Sequence, residues 1–121
     1  MEHPTTYVGL DAHKASINSA ALLPRGGKVE EAQMSNEPRA VRRLAKRLLA
    51  VAPGPVVCCY EAGPCGYTLQ RELRKNGVEC LVVAPSLIPV KPGVRVKTDR
   101  RDARKLAELL KLNHSVRNSS R

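Results

Sequence analysis

The stretch PVVCCYEAGPCG, residues 55–66, decides the fold of this chain. It opens with a continuous apolar run over residues 56–60, which is typical of a strand covered on both of its faces. The glycines and prolines after Glu61 predict a loop, and a helical pattern follows from about Gly66 to Lys75. A buried strand that feeds a helix predicts a parallel sheet with crossover helices.

Three strand patterns precede this stretch. TTYVGLDAHK opens with β-forming residues and predicts a first strand that ends near Asp11. The segment SINSAALLPRGGKVEEAQM predicts a second and a third strand, joined by a turn at Gly26-Gly27. Strands joined by short turns run antiparallel, so the chain begins with a three-strand antiparallel meander.

Helical and strand patterns alternate in the rest of the chain. Apolar residues recur at helical spacing after the N-cap candidates Ser35-Asn36, until Pro53 ends the helix. VECLVVAP predicts another buried strand, and the three prolines within residues 85–93 predict a loop. The last helix is expected to begin at Asp99.

This order of elements predicts an α/β fold. Three antiparallel strands are followed by two strands that crossover helices make parallel, which gives a mixed sheet with helices on both faces. That arrangement is the ribonuclease H-like plan. We expect residues 1–112 to form one domain, since a chain of 121 residues is long enough for a single core. Residues 113–121 are polar and without periodicity, so we expect a disordered tail.

The charge of the chain favours a polyanionic partner. Lys and Arg number 21 against 11 Asp and Glu, which gives a formal net charge of +10 and a pI near 10.0. Such an excess is suited to neutralising the phosphates of a nucleic acid. No apolar stretch approaches the roughly 20 residues of a membrane-spanning helix, and the N-terminus lacks a signal-peptide pattern, so we expect a cytosolic protein without a membrane partner.

The four cysteines have spacings that match no metal-binding motif. Three of them lie in or beside apolar strand patterns, and none is separated by the two-residue gap of a zinc knuckle. Buried free thiols in a reducing compartment are therefore the expected state, and a zinc site or a disulfide is the less favoured alternative.

Two aspartates lie at the start of the last predicted helix, in VKTDRRDARKLAELL, residues 96–110. Positions three and four apart share a helix face, so Asp99 and Asp102 are expected to point toward the sheet with the leucines. A carboxylate in that place needs a positive or hydrogen-bonding partner. An N-cap at Asp99, with Asp102 three residues on, explains this pair equally well when it is taken alone.

Two further carboxylates lie at the ends of predicted strands. Asp11 ends the first strand and Glu61 ends the buried one, and each alone is explained as a turn residue or a solvent-facing charge. A ribonuclease H-like sheet, however, brings both strand ends near the start of the last helix. We therefore expect Asp11, Glu61, Asp99 and Asp102 to surround one pocket. Crowded carboxylates repel one another unless cations lie between them, and Mg²⁺ prefers oxygen ligands.

Three motifs together resemble a known family. YVGLDAHK, YEAGPCGY and VKTDRRDARKLAELL, in this order and at these separations, are similar to the N-terminal nuclease domain of DEDD insertion-sequence transposases. The catalytic domain of those enzymes resembles the RuvC Holliday-junction resolvase. The resemblance extends from about Tyr7 to Leu112, and it places the acidic quartet of the family on Asp11, Glu61, Asp99 and Asp102.

The resemblance implies Mg²⁺-dependent strand cleavage and transfer in DNA transposition. It implies DNA and an element-encoded guide RNA as partners of a full-length homo-oligomer in the prokaryotic cytoplasm. Family members continue into a C-terminal domain with a serine nucleophile, so we expect a chain truncated before that domain, because this sequence stops at Arg121. Basic residues near the acids are the candidates for contact with the DNA backbone: Lys14, Lys97, Arg100, Arg101 and Arg104.

Other functions are compatible with the same residues. A stand-alone Holliday-junction-type nuclease would need no second domain. A non-enzymatic, basic nucleic-acid-binding domain would use the four acids only as caps and turn residues. An actin-like kinase or ATPase shares the sheet plan, but no glycine-rich phosphate loop follows a strand.

Overall fold

Short alternating and apolar segments form the strands, and amphipathic segments form the helices between them. The computed structural model describes residues 4–24, 27–63, 66–84, 87–88, 97–98 and 101–119. Its elements, in chain order, are β1 Thr6–Ala12, β2 Ser16–Leu22, β3 Val29–Ser35, α1 Pro38–Val51, β4 Val56–Glu61, α2 Thr68–Lys75, β5 Glu79–Val83, β6 Leu87–Ile88, β7 Lys97–Thr98 and α3 Ala103–Ser119.

The main sheet has five strands in the order β3-β2-β1-β4-β5. β1 pairs antiparallel with β2, and β2 pairs antiparallel with β3, as short turns require. β1 and β4 run parallel, as do β4 and β5, because α1 and α2 carry the chain back between them. The predicted α/β fold, with its meander and two parallel strands, is confirmed and is consistent with a ribonuclease H-like fold.

The two faces of the sheet are covered by different helices. Val8 and Leu10 of β1 belong to the larger core, which includes the apolar faces of α1 and α2. Tyr7, on the alternate face of the same strand, packs with Cys59 of β4 and with the leucines of α3. Helices therefore lie on both faces of the sheet, as predicted.

The contact between β1 and α3 is unusually close. A Cβ atom built on Gly9 would lie 1.9 Å from the carbonyl oxygen of Ala103 and 2.5 Å from the backbone nitrogen of Ala107. Both atoms belong to helix backbone, which cannot move aside as a flexible side chain can. The absence of a side chain at Gly9 thus sets the distance of α3 from the sheet.

Helix starts differ from the predicted positions. α1 has Glu37 at its N-cap position, because Ser35 is the last residue of β3. α2 begins at Thr68 rather than near Gly66, since Gly66 has a φ of 53° and an α-helix requires a negative φ. α3 begins at Ala103, after two non-helical residues.

Two segments predicted to lack regular structure contain some. Within the predicted loop at residues 85–93, Leu87–Ile88 pairs antiparallel with Lys97–Thr98 in a two-stranded ribbon. The tail predicted to be disordered from residue 113 onward is helical as far as Ser119. One reason is that His114 continues the inward face of α3 and its Nδ1 lies 2.7 Å from the hydroxyl of Tyr7.

Among the described residues, no helix is long and apolar enough to cross a membrane.

Replacing Gly9 with Ala is expected to destabilise the domain by about 1–3 kcal/mol or more, because the added methyl group overpacks the contact with α3. The free energy of unfolding is measured in urea. Gly63→Ala is the matched control, since its added Cβ would lie 3.9 Å from the nearest atom. An equal, small effect of both substitutions would contradict the close contact.

Candidate functional site

An open cavity lies where the end of β1 meets the start of α3. It has a volume of about 580 Å³, and both Asp11 and Asp102 line it, together with Asn18, Glu31 and Arg104. Asp11 lies opposite Asn18 in the β1–β2 pairing, which places it at the end of the strand beside the helix start. The structure thus brings together two of the four predicted acids from distant parts of the chain.

Asp11 has a histidine neighbour that the sequence patterns did not single out. The Asp11 side chain is 16% exposed, and its Oδ2 lies 3.1 Å from Nε2 of His13. The backbone carbonyl of His13 accepts a hydrogen bond of 2.7 Å from the side chain of Asn36. Asn36 therefore fixes the backbone of the connection after β1, and the imidazole of His13 faces Asp11. A histidine two residues after an aspartate at the end of a strand is a common pattern, so the sequence alone does not predict the contact between His13 and Asp11.

Asp102 is the N-cap of α3. Its Oδ1 accepts a hydrogen bond of 2.8 Å from the backbone N–H of Lys105, and its carbonyl accepts one of 3.0 Å from Leu106. The residue is exposed, so the expectation that it points toward the sheet with the leucines is wrong. The physical reason is that the helix begins after Asp102, which leaves the carboxylate at the helix end instead of on the inner face. The cap role expected at Asp99 belongs to Asp102, and Asp99 lies outside the described residues.

Glu61 is bound on both oxygens by one arginine. Its Oε1 accepts a hydrogen bond of 3.0 Å from the backbone N–H of Arg101, and its Oε2 accepts one of 3.1 Å from Nη2 of the same residue. Nη2 also donates to the carbonyl oxygen of Ala84 at 2.8 Å. The Glu61 side chain is only 8% exposed, so this charge is balanced inside the protein rather than by solvent.

The start of α3 divides the candidate acids into two places. Ala103 lies against Gly9 of β1, the central strand, with β2 on one side and β4 on the other. Asp102 shares the cavity on the β2 side, whereas Arg101 reaches Glu61 at the end of β4. In the part of the chain that the structure describes, no three His, Cys, Asp or Glu residues are grouped so that they could hold a metal ion. The four-carboxylate site therefore stays a prediction.

The predicted DNA-contacting residues occupy different settings. Lys14 is exposed, and Arg104 is exposed at the cavity, where it pairs loosely with Glu108 at 3.6 Å. Arg101 is turned inward, so the expectation of an outward guanidinium does not match this structure. Lys97 is part of β7, and Arg100 lies outside the described residues. A second positive surface consists of five exposed cations on α1: Arg39, Arg42, Arg43, Lys46 and Arg47.

Comparison with known proteins identifies the family. A family model for DEDD transposases of the IS110 type, described as a transposase, matches residues 8–121. The chain belongs to this family. The protein y4qE of Sinorhizobium fredii (strain NBRC 101917 / NGR234), which is named as a transposase, is 45% identical over 114 residues, covering 91% of this chain and 28% of y4qE.

A second relative of this transposase domain is the transposase for insertion sequence element IS1533 of Leptospira borgpetersenii. It is 39% identical over 106 residues, which cover 87% of this chain and 30% of the relative. The chain therefore spans less than a third of the length of these two relatives. The match to the family nevertheless extends over almost the whole of the 121-residue sequence.

Three cysteines of the transposase domain are buried free thiols, as predicted: Cys58, Cys59 and Cys80. Burial raises the pKa of Cys59 and of Cys80 to about 12, and it raises the pKa of Cys58 well above its usual value. Thiols are poor nucleophiles and metal ligands when they are not ionised, so these three serve packing. Cys65 lies outside the described residues.

The capping role of Asp102 can be separated from its charge. Asp102→Ala is expected to lower the free energy of unfolding by about 0.5–2 kcal/mol, because the N–H of Lys105 loses its acceptor. Asp102→Asn keeps a capping oxygen and is expected to retain most of that stability. Urea denaturation of both variants measures the difference. Equal losses in the two variants would show that the carboxylate charge, rather than the cap, stabilises the helix.

Proposed function

We propose that this chain is the N-terminal catalytic domain of a DNA transposase, which binds DNA and cleaves and transfers its strands at a magnesium site. Asp11, Glu61, Asp99 and Asp102 would hold the metal. The observation that carries the proposal is the shared cavity of Asp11 and Asp102 in a chain of the DEDD transposase family. The fold brings these two acids together although 90 residues of sequence lie between them.

The donor set fits Mg²⁺ in chemistry. The candidate ligands are carboxylates, and hard divalent ions prefer oxygen ligands. Asp11 and Asp102 face an open cavity large enough to admit a phosphate group as well as an ion. When bound, Mg²⁺ would activate the attacking oxygen and stabilise the leaving oxygen of a phosphodiester. Glu61 would have to exchange its present partner in order to join the set.

The side chains of this domain would orient the DNA. Arg104 lies at the same cavity as the two aspartates, so its guanidinium is placed to bind a backbone phosphate beside them. His13 faces Asp11 and would fix the orientation of that carboxylate. The five cations of α1 would add attraction to nucleic acid without reading its sequence.

Properties of the whole transposase form part of the same proposal. A guide RNA as the second nucleic-acid partner, a homo-oligomeric assembly and action in the prokaryotic cytoplasm are expected from the family. The serine nucleophile of the family belongs to a further C-terminal domain.

Neutral substitutions of the acids test the metal site. Asp11→Asn, Glu61→Gln and Asp102→Asn are each expected to weaken Mg²⁺ or Mn²⁺ binding by at least roughly tenfold, since even a group that only orients a ligand contributes about that much. Isothermal titration calorimetry of the 121-residue chain measures the affinity. Strand cleavage in the full-length transposase should be lost with the same substitutions.

The matched control is Glu108→Gln, which removes an exposed carboxylate from the same helix that Asp102 caps. It is expected to leave metal affinity unchanged. The proposal is wrong if the three acid variants bind metal as well as the original chain does, or if the control loses as much affinity as they do.

A non-enzymatic nucleic-acid-binding domain is the second candidate. It is favoured by the observation that Asp102 caps α3 and Glu61 pairs with Arg101, so both acids have structural roles without a metal. In that case DNA affinity should fall steeply with salt but be indifferent to Mg²⁺ and to the acid substitutions. Fluorescence anisotropy with labelled duplex DNA, at several salt concentrations with and without Mg²⁺, distinguishes the two functions.

A further inference from the structure

The pair formed by Arg101 and Glu61 differs from an ordinary surface ion pair. Arg104 and Glu108, four residues apart on α3, are more than half exposed and lie 3.6 Å apart, so water screens their attraction. Glu61 is 8% exposed, and Arg101 contacts it through both the backbone N–H and the guanidinium. A buried carboxylate that loses such a partner is left as an uncompensated charge. Glu61 is therefore expected always to require a cation beside it.

The guanidinium of Arg101 is incompletely satisfied in this position. Its Nη2 donates to Glu61 and to the carbonyl of Ala84, but its Nε is buried without a hydrogen-bond partner among the described residues. A buried donor without an acceptor disfavours the conformation that contains it. When Arg101 leaves Glu61, the loss of that ion pair is partly offset, because its Nε would then gain a hydrogen bond to solvent or to another acceptor.

Arg101 is also adjacent to a second candidate ligand. Asp102 follows it directly and faces the cavity that contains Asp11 and Arg104. The two residues precede α3 in a short non-helical segment, so a change in the position of one affects the other. A divalent ion bound to Glu61 would repel a guanidinium at 3.1 Å from the same carboxylate. The two cations therefore compete for that carboxylate in the present geometry.

We propose that Arg101 is a positioning residue that holds Glu61 in the metal-free domain and is displaced from it when a divalent metal ion binds. The exchange keeps Glu61 neutralised throughout and leaves the Arg101 guanidinium beside the cavity, where a DNA phosphate is the acceptor of matching charge. This inference rests on the proposed function, because it requires Glu61 to be a metal ligand.

Metal titration of an Arg101 variant tests the exchange. Arg101→Gln removes the competing charge and retains the backbone N–H that contacts Glu61. We expect it to raise the affinity of the 121-residue chain for Mn²⁺ or Mg²⁺ by at least roughly fivefold, the lower range of couplings between linked sites. Arg74→Gln, which removes an exposed arginine that pairs with Glu79, is the matched control, because Arg74 does not line the cavity of Asp11 and Asp102, and it should leave the affinity nearly unchanged.

A spectroscopic signal reports the same exchange without substitution. In the original chain, the Nε–H resonance of Arg101, assigned through its bonded connection to the backbone resonances of Arg101, should shift toward the position of solvent-exposed arginines as Mg²⁺ is added. Thermal unfolding gives a third measurement, because Arg101→Gln should lower the melting temperature of the metal-free domain more than that of the Mg²⁺-saturated domain. A purely structural ion pair would lower both equally.

The outcomes separate this inference from the proposed function. If Glu61→Gln weakens metal binding while Arg101→Gln leaves it unchanged or weakens it, the exchange is wrong and the metal site stands. If Glu61→Gln has no effect, Glu61 is not a ligand and both proposals fail at this residue. Should Arg101→Gln not fold, as judged by circular dichroism, the resonance in the original chain decides, and a signal that does not move on saturation with Mg²⁺ overturns the exchange.

Discussion

The fold of this transposase domain depends on how closely α3 approaches the central strand. Gly9 lets the backbone of the helix touch β1. On the neighbouring strand β4, the thiol of Cys59 donates a hydrogen bond of 3.4 Å to the carbonyl of Leu106 in the same helix. Because the first turn of α3 is fixed in this way, the residues just before it are brought to the ends of β1 and β4. The position of Asp102 and Arg101 thus follows from a missing side chain on a strand, rather than from the acids themselves.

Much of the architecture could be predicted because buried positions recur at a regular spacing of apolar residues in the sequence. The continuous apolar run of β4 identified a strand covered on both faces, and its residues do alternate between the two cores. Exact helix ends were less accessible, since they depend on single conformations such as the positive φ of Gly66. The pairing of β6 with β7 involves two residues on each strand, too few to show an apolar period. The contact of His114 with Tyr7 that supports α3 beyond Leu112 is a tertiary one, which the local sequence does not reveal.

The site was predicted in part for similar reasons. Period and topology sufficed to place Asp11 beside the start of the last helix, as the shared cavity shows. They did not reveal which charged side chain turns inward, because arginines that bind phosphate and arginines that neutralise a buried acid look alike in sequence. The sequence predicts Arg101 as a contact to DNA, whereas its guanidinium binds Glu61 in the structure. The sequence predicts an N-cap at Asp99, about one turn before the cap that the structure shows at Asp102.

The strand order has a consequence for how this domain meets other copies of itself. β3 is an edge strand of the sheet, and the backbone groups on the open side of an edge strand can pair with a second chain. Here that edge carries Glu30 and Glu31 on successive residues, and Glu30 is held by Arg47 of α1 at 2.7 Å. A second strand paired with this edge would place its own side chains beside these carboxylates and desolvate them. Charged side chains at this edge therefore disfavour the addition of another strand to β3.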